Sequence, residues 1–222
     1  ILKMLRIPRN KSSIMFKRQN KSKKYNNEVE AEECETPLLD SLINVSGNTI
    51  MFNCDIDSKS AFLFINAMNM AIKNIQELNP IDPLSIPIVI YINSDGGEVY
   101  QVLSMISCIK KCPYTIHTVV SGCVSSAAVL LAMAGDKRMM DENAYMLVHE
   151  IRSGCWGKYS ECIDDMYNND KIMKDIKKYF QKNTNNKFIN KKLEKLLKRD
   201  IILNAKKCLK YGIIHRINYF KK

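Results

Sequence analysis

The stretch from Gly122 to His149, GCVSSAAVLLAMAGDKRMMDENAYMLVH, leaves few folds open. A β-rich run, Tyr114 to Val120, leads into it and is closed by Ser121-Gly122. Ser125, Ser126, Ala127 and Ala128 follow. An apolar helix-forming run, Val129 to Ala134, comes next and stops at Gly135. Strand, tight turn, serine and helix in that order set a hydroxyl at a helix N-terminus, where unbonded backbone N–H groups and the positive dipole end gather. That setting suits a nucleophilic serine, because its attack creates an oxyanion that backbone donors stabilise. The helix is short and apolar, which predicts burial. A second apolar run, Tyr145 to Val148, then delivers His149, the only histidine followed directly by an acid, Glu150.

The rest of the chain repeats this alternation. Ile88 to Ile92 is a near-continuous apolar run of the kind buried on both faces of a parallel sheet, and Asn93-Ser-Asp-Gly-Gly97 follows it directly. A helix is predicted over 98–111, and short strands over 137–140 and 145–148. The series β-α-β-α-β implies an α/β fold with a parallel sheet and right-handed crossovers. Upstream, Thr49 to Asn53 reads as a short strand after a polar connector. Asp57-Ser58 opens a helix whose apolar residues at 61, 64, 65, 68, 71, 72, 75 and 78 share one face, and Asn79-Pro80 ends it. Downstream, 158–182 is one long amphipathic helix, with Tyr159, Ile163, Met166, Met173, Ile176 and Phe180 on one stripe. Its length predicts that it projects and packs on a partner. An Asn-rich turn, a lysine-rich helix over 191–198, a helix ending at Gly212 and a last strand over 213–217 complete the chain.

Charge decides which function classes remain. The net charge of +11 is uneven: residues 1–27 hold nine basic and no acidic residues, 171–222 hold seventeen basic and three acidic, and 28–170 hold eight basic and twenty acidic. This is an acidic body with two basic ends. The basic stretches lack glycine-bracketed aromatics and metal knuckles, so they read as solvated lysine faces without specific nucleic-acid binding. No apolar run approaches the roughly 18–20 residues of a membrane span, and no secretory pattern opens the chain. Residues 1–30 are either a basic disordered tail or an organelle-targeting presequence, and 31–222 form one domain. The expected compartment is cytoplasmic, or plastid or mitochondrial if 1–30 is a presequence. The eight cysteines are scattered without a second close ligand pair for zinc, so they read as reduced thiols with no metal site.

Taken singly, the candidate site residues have ordinary explanations. Ser125 and Ser126 read first as helix N-caps. His149 suits a buried structural histidine as well as a base. Gly96-Gly97 suits a tight turn as well as a pair of backbone donors. Asp200, beside Arg199, suits a surface ion pair.

Together, Tyr91-Ile-Asn-Ser-Asp-Gly-Gly97, Gly122-Cys-Val-Ser-Ser-Ala-Ala128, Asn143-Ala-Tyr-Met-Leu-Val-His149 and Arg199-Asp-Ile-Ile-Leu-Asn-Ala205 resemble the proteolytic subunit of Clp protease, in that family's order and at nearly its spacings. The likeness runs over about 38–217 and takes in Tyr211-Gly212-Ile213-Ile214. It implies a ClpP/crotonase-like spiral of β-β-α units, with 158–182 as a projecting handle helix. It also implies a serine endopeptidase: Ser126 as nucleophile, His149 as base, Asp200 as the acid that orients it, and the N–H groups of Gly97 and Ala127 as the oxyanion hole. The family's subunits form two stacked seven-membered rings, homo- or hetero-oligomeric, that hydrolyse unfolded polypeptides delivered by an ATP-driven AAA+ unfoldase. ATP then belongs to that partner, since this chain has no GxxxxGK[ST] loop and is expected to hold no cofactor of its own. The chain departs from the family at Asp95 (usually Pro), at Ala127-Ala128 (usually Met-Gly), at Glu150-Ile151 (usually Gln-Pro), and in an interval between Ser126 and His149 shorter by about two residues, assigned to the turn at 135–137. Ala128 and the altered loop at Glu150 support a second reading, a catalytically impaired ring subunit that partners active paralogues. A third, an acyl-CoA enzyme of the crotonase type, has no use for a complete Ser/His/Asp set.

Overall fold

A computed structural model describes residues 42–185 and 190–219. The proposed tail or presequence at 1–30 lies outside the described residues, as does part of the Asn-rich turn. Strands β1 (Ile43–Ser46) and β2 (Thr49–Phe52) form a hairpin about Gly47-Asn48, with Gly47 at φ +56°. Helix α1 (Ser58–Leu78) follows. Its start is fixed by a reciprocal cap in which Ser60 N–H donates to the Asp57 carboxylate at 2.6 Å and Asp57 N–H donates to Ser60 Oγ at 2.9 Å. Next come β3 (Ile88–Ser94), α2 (Val99–Lys111), β4 (Ile116–Ser125) and α3 (Ala127–Ala132). The chain continues through β5 (Lys137–Asp141), β6 (Tyr145–Val148), α4 (Tyr159–Asn183), α5 (Asn190–Leu197), β7 (Ile201–Asn204), α6 (Ala205–Lys210) and β8 (Arg216–Asn218).

The sheet runs β1-β2-β3-β4-β5-β8. All neighbours beyond the first hairpin are parallel, and β6 pairs with β4 on one side and antiparallel with β7 on the other. The predicted α/β class and parallel sheet are present. One expectation changes at β3: Ile88, Ile90 and Ile92 are fully buried, whereas Val89 and Tyr91 on the other face are only half-buried. The apolar run therefore packs hard on one side alone. Phe52 and Phe64 meet edge-to-face at 5.9 Å where α1 covers that side. The predicted closure of β4 at Gly122 also changes. The strand bends there, with Gly122 at φ +85°, and continues to Ser125. β5 pairs with its first half (His117–Val120) and β6 with its second (Cys123–Ser125), so the sheet forks at the bend. Asn93 stabilises the fork by accepting the Cys123 N–H at 3.0 Å.

Helix α3 is buried at every residue, as its composition predicts. Helix α4 spans 25 residues, of which only Phe180 is fully buried. Met173, Ile176 and Tyr179 pack on the core, while Tyr159, Met166 and Tyr167 stand exposed. The expectation of reduced thiols fails at one pair: Cys155 and Cys162 form a disulfide, with Cα atoms 5.6 Å apart, across the start of α4. Spacing alone could not reveal it, because closure depends on how the loop before α4 folds back. Cys54, Cys108, Cys112, Cys123 and Cys208 are free. No described helix is long and apolar enough to cross a membrane.

One buried cation ties the far side of the core together. Arg138 on β5, 6% exposed, donates to Met133 O at 3.4 Å, Asn183 O at 2.6 Å and Gly212 O at 3.1 Å, carbonyls at or just beyond the C-terminal ends of α3, α4 and α6. A guanidinium offers several donors in a fixed fork and favours the negative end of each helix dipole. Burial lowers its pKa below the usual guanidinium value, an effect opposed by nearby Tyr179. Arg138→Met keeps the bulk but strands three carbonyls. It should cost about 3–5 kcal/mol of stability, read from the urea unfolding midpoint.

Candidate active site

The functional candidates gather at the carboxyl ends of the strands, where open α/β sheets bind ligands. β3 ends at Ser94-Asp95-Gly96-Gly97, and β4 ends at Ser125-Ser126 beside it. Contact between the two ends is as close as backbone allows. A Cβ added at Gly96 would lie 2.7 Å from Ser125 O, 2.8 Å from Ser126 Cβ and 3.1 Å from Ala127 N, and Gly96 sits at φ +98°. Gly97, at φ +141°, bridges to Ile56 through its neighbours: Ile56 N–H donates to Gly96 O, and Glu98 N–H donates to Ile56 O. In such a bridge the N–H of the central residue points to the opposite side. The Gly97 amide is therefore left for another acceptor.

The two serines separate cleanly. Ser125 is buried, with its hydroxyl 3.6 Å from Cys123 Sγ. Ser126 occupies the N-cap position of α3 at φ +53°, ψ −125°, and its side chain makes no capping bond. The N-cap reading is not realised. A non-glycine residue at positive φ between strand and helix holds strain that persists only where its surroundings enforce it. Here Ser126 N–H donates to Leu147 O at 2.9 Å and Gly96 packs behind Cβ.

β6 runs parallel to the end of β4 and brings His149 to the same edge. A cavity of about 260 Å3 is lined by Ser126, His149, Gly97 and Ala127, with Leu130 and Phe180 in its apolar wall. Ala128, where the family usually has glycine, is fully buried and does not line this cavity. Its methyl group packs into the core.

Asp200 arrives through β7. Val148 pairs with Ile201 across the antiparallel β6–β7 ladder, so His149 and Asp200 are the next residues outward on the two strands. They share a second cavity of about 260 Å3 with Glu150, Arg152 and Lys198. Their side chains, however, engage other groups. His149 Nδ1 lies 2.6 Å from the Glu150 carbonyl, and Asp200 accepts a bond of 2.6 Å from the Arg152 guanidinium. The expected pairing of Asp200 with Arg199 is not made. A carbonyl only accepts, so His149 Nδ1 carries a proton, and in the neutral ring this leaves the lone pair on Nε2. The imidazole is thus in the tautomer a general base requires, held by a neutral carbonyl.

Sequence reasoning missed Arg152 and the Glu150 carbonyl. The carbonyl leaves no trace in a sequence. Arg152 leaves one, as the only Lys or Arg between Arg138 and Lys158.

Strand-end serine, glycine-backed turn and forked parallel sheet define a crotonase-like α/β class. Within it, the Clp protease family model matches residues 47–219, and the chain belongs to that family. It is 35% identical over 136 residues to ATP-dependent Clp protease proteolytic subunit 2 of Treponema denticola, covering 59% of this chain and 66% of that protein. It is 25% identical over 192 residues to the chloroplastic ATP-dependent Clp protease proteolytic subunit 6 of Arabidopsis thaliana, covering 84% and 70%. It is 32% identical over 139 residues to the ATP-dependent Clp protease proteolytic subunit of Carsonella ruddii, covering 60% and 69%. The chain thus spans just under two thirds of the Treponema protein.

Gly96 supplies the sharpest local test. Gly96→Ala forces a methyl group against Ser125 O and Ser126 Cβ at a backbone angle that L residues avoid. The variant should lose about 1–3 kcal/mol by thermal unfolding.

Proposed function

We propose that the chain is a serine-type endopeptidase subunit that hydrolyses unfolded polypeptides. The observation that carries this reading is Ser126: a strained strand-to-helix serine, unused as a cap, lining one cavity with His149. Ser126 Oγ attacks the peptide carbonyl while His149 Nε2 takes its proton and later returns it to the leaving amine. The N–H groups of Gly97 and Ala127 receive the developing oxyanion, at roughly 3–4 kcal/mol per donor in other serine hydrolases. Asp200 stabilises the imidazolium once its carboxylate turns from Arg152 to His149. The apolar wall at Leu130 and Phe180 favours an apolar side chain beside the scissile bond.

The reading extends to assembly. The exposed Tyr159, Met166 and Tyr167 on α4 suit packing between subunits of two stacked seven-membered rings. A separate AAA+ unfoldase would supply the ATP-driven step, so this chain needs no nucleotide or metal. The names of the bacterial and plant relatives support such a complex.

A second reading, a ring subunit with impaired chemistry that works beside active paralogues, draws on the Arg152–Asp200 pair. One experiment separates the two. A fluorophosphonate probe should label the protein at Ser126, and Ser126→Ala should abolish both labelling and cleavage of a short fluorogenic peptide. His149→Ala should slow cleavage at least about a hundredfold. Absence of labelling in the assembled wild-type protein would favour the impaired subunit.

A further inference from the structure

We propose that Arg152 is a clamp on Asp200, kept closed by the Cys155–Cys162 bridge and released when a dithiol reduces that bridge. The inference rests on the reading of Ser126, His149 and Asp200 as a catalytic set, and concerns its regulation. Arg152 Nη2 holds Asp200 Oδ2 at 2.6 Å, while His149, in the same cavity, donates to the Glu150 carbonyl instead. A neutral carbonyl fixes the tautomer but offers a forming imidazolium far less than a carboxylate does. The guanidinium also sets a like charge in the cavity where that imidazolium must form.

The ion pair cannot hold itself shut. Its side chains are 70% and 58% exposed, and such pairs are weak because solvent screens them and two long side chains must be ordered. What keeps it is the loop. Upstream of Arg152, Glu150 N–H donates to Leu197 O at 2.9 Å. Next to Arg152, the Ser153 hydroxyl accepts from Asn169 of α4 at 2.8 Å. Three residues beyond Arg152, the disulfide fastens Cys155 to Cys162 in the first turn of α4. The covalent tie limits how far residues 152–154 can swing, since each spans at most about 3.6 Å of chain. Cutting it leaves the downstream side of Arg152 held by the exposed Ser153–Asn169 hydrogen bond, and the entropy of the loosened loop then opposes the pair.

The bridge is open to exchange, with Cys155 exposed and Cys162 half-buried. A dithiol attacks one bridge sulfur through its thiolate to give a mixed disulfide. Its second thiol then displaces that bond, so the reductant leaves as a disulfide while Cys155 and Cys162 take up two electrons and two protons. Four of the free thiols compete poorly: burial pushes Cys54 and Cys208 up to about 12 and raises Cys108 and Cys112 as well.

The test measures the fluorophosphonate labelling rate at Ser126 in the full chain, oxidised and after dithiothreitol. A second readout is the imidazole N–H protons of 15N-histidine protein, with His149→Gln assigning the signal. Reduction should speed labelling about two- to fivefold, the range an exposed ion pair can bias. It should also bring out a downfield His149 Nδ1–H resonance that Asp200→Asn lacks. Arg152→Gln should show both effects without reductant, and Cys155→Ser and Cys162→Ser should each match the reduced wild type. Labelling and resonance unmoved by reductant, slower labelling in Arg152→Gln, or a response to dithiothreitol that persists in Arg152→Gln would each overturn the clamp. Loss of labelling at Ser126 in every form, with the His149 resonance still switching, would instead overturn the peptidase reading and leave the clamp standing.

Discussion

The ends of β3 and β4 meet at Gly96 so closely that no side chain fits between them, and the site depends on that contact. A strand pair in regular register would diverge or carry side chains across the junction. Here β4 bends at Gly122 and runs two residues ahead of β3, since Ile92 faces Val120 but Ser94 faces Val124. Asn93 occupies the space inside the bend, where a Cβ on Gly122 would lie 2.8 Å from its Oδ1. The extra length carries Ser126 past the sheet edge and sets it over the Gly96-Gly97 backbone. Strain at Ser126 is thus sustained from three directions: by β3, by the Leu147 carbonyl of β6, and by buried α3 behind it.

Helix α4 belongs to this arrangement as well as to the surface. Its last turns supply Phe180 to the cavity wall, and Tyr179 donates its hydroxyl to Leu130 O at 3.1 Å. Its C-terminal carbonyl at Asn183 is held by Arg138, together with those of Met133 and Gly212. The first half of the helix, by contrast, is solvent-exposed and joined to the loop carrying Arg152. One helix therefore touches the Ser126 cavity at one end and the loop carrying Arg152 at the other. A force on its exposed half has a direct mechanical route to both.

Much of the fold is legible in the sequence because local signals and tertiary demands agree. The period of α1 and its Asp57 start, the strand (though not the two-sided burial) at the apolar run of β3, and the small-residue turn before α3 all say what the structure does. Disagreement comes where a distant residue decides. Gly122 reads as a stop, and only Asn93, far upstream, turns it into a bend. The β1–β2 hairpin turns on Gly47-Asn48 between two short apolar segments, where the polar residues upstream suggest only a connector. Ile213 and Ile214 look like strand residues and are indeed buried, yet β8 begins only at Arg216, because the Ile213 N–H is still bonded to Cys208 O at the end of α6. Ser126, His149, Gly97 and Ala127 could be picked out from motif order, and they share one cavity. The state of Asp200 could not be, since it turns on Arg152 and on a disulfide that no spacing rule announces.

That difference between position and state has a physical origin. The β6–β7 ladder sets Asp200 beside His149 through the register of four paired residues, whose backbone bonds form together. Which way the carboxylate faces is decided by exposed side chains whose interactions nearly balance. A strand register is fixed for as long as the domain is folded, whereas a solvent-exposed ion pair can yield to a modest change in its tether. Ser126 and His149 are therefore set by the strand ends, whereas the contact of Asp200 is left to exposed side chains. The turn at Ser126 is backed by Gly96 and by the Leu147 carbonyl, whereas the contact of Asp200 is an exposed ion pair that can change while the strand junction stays intact.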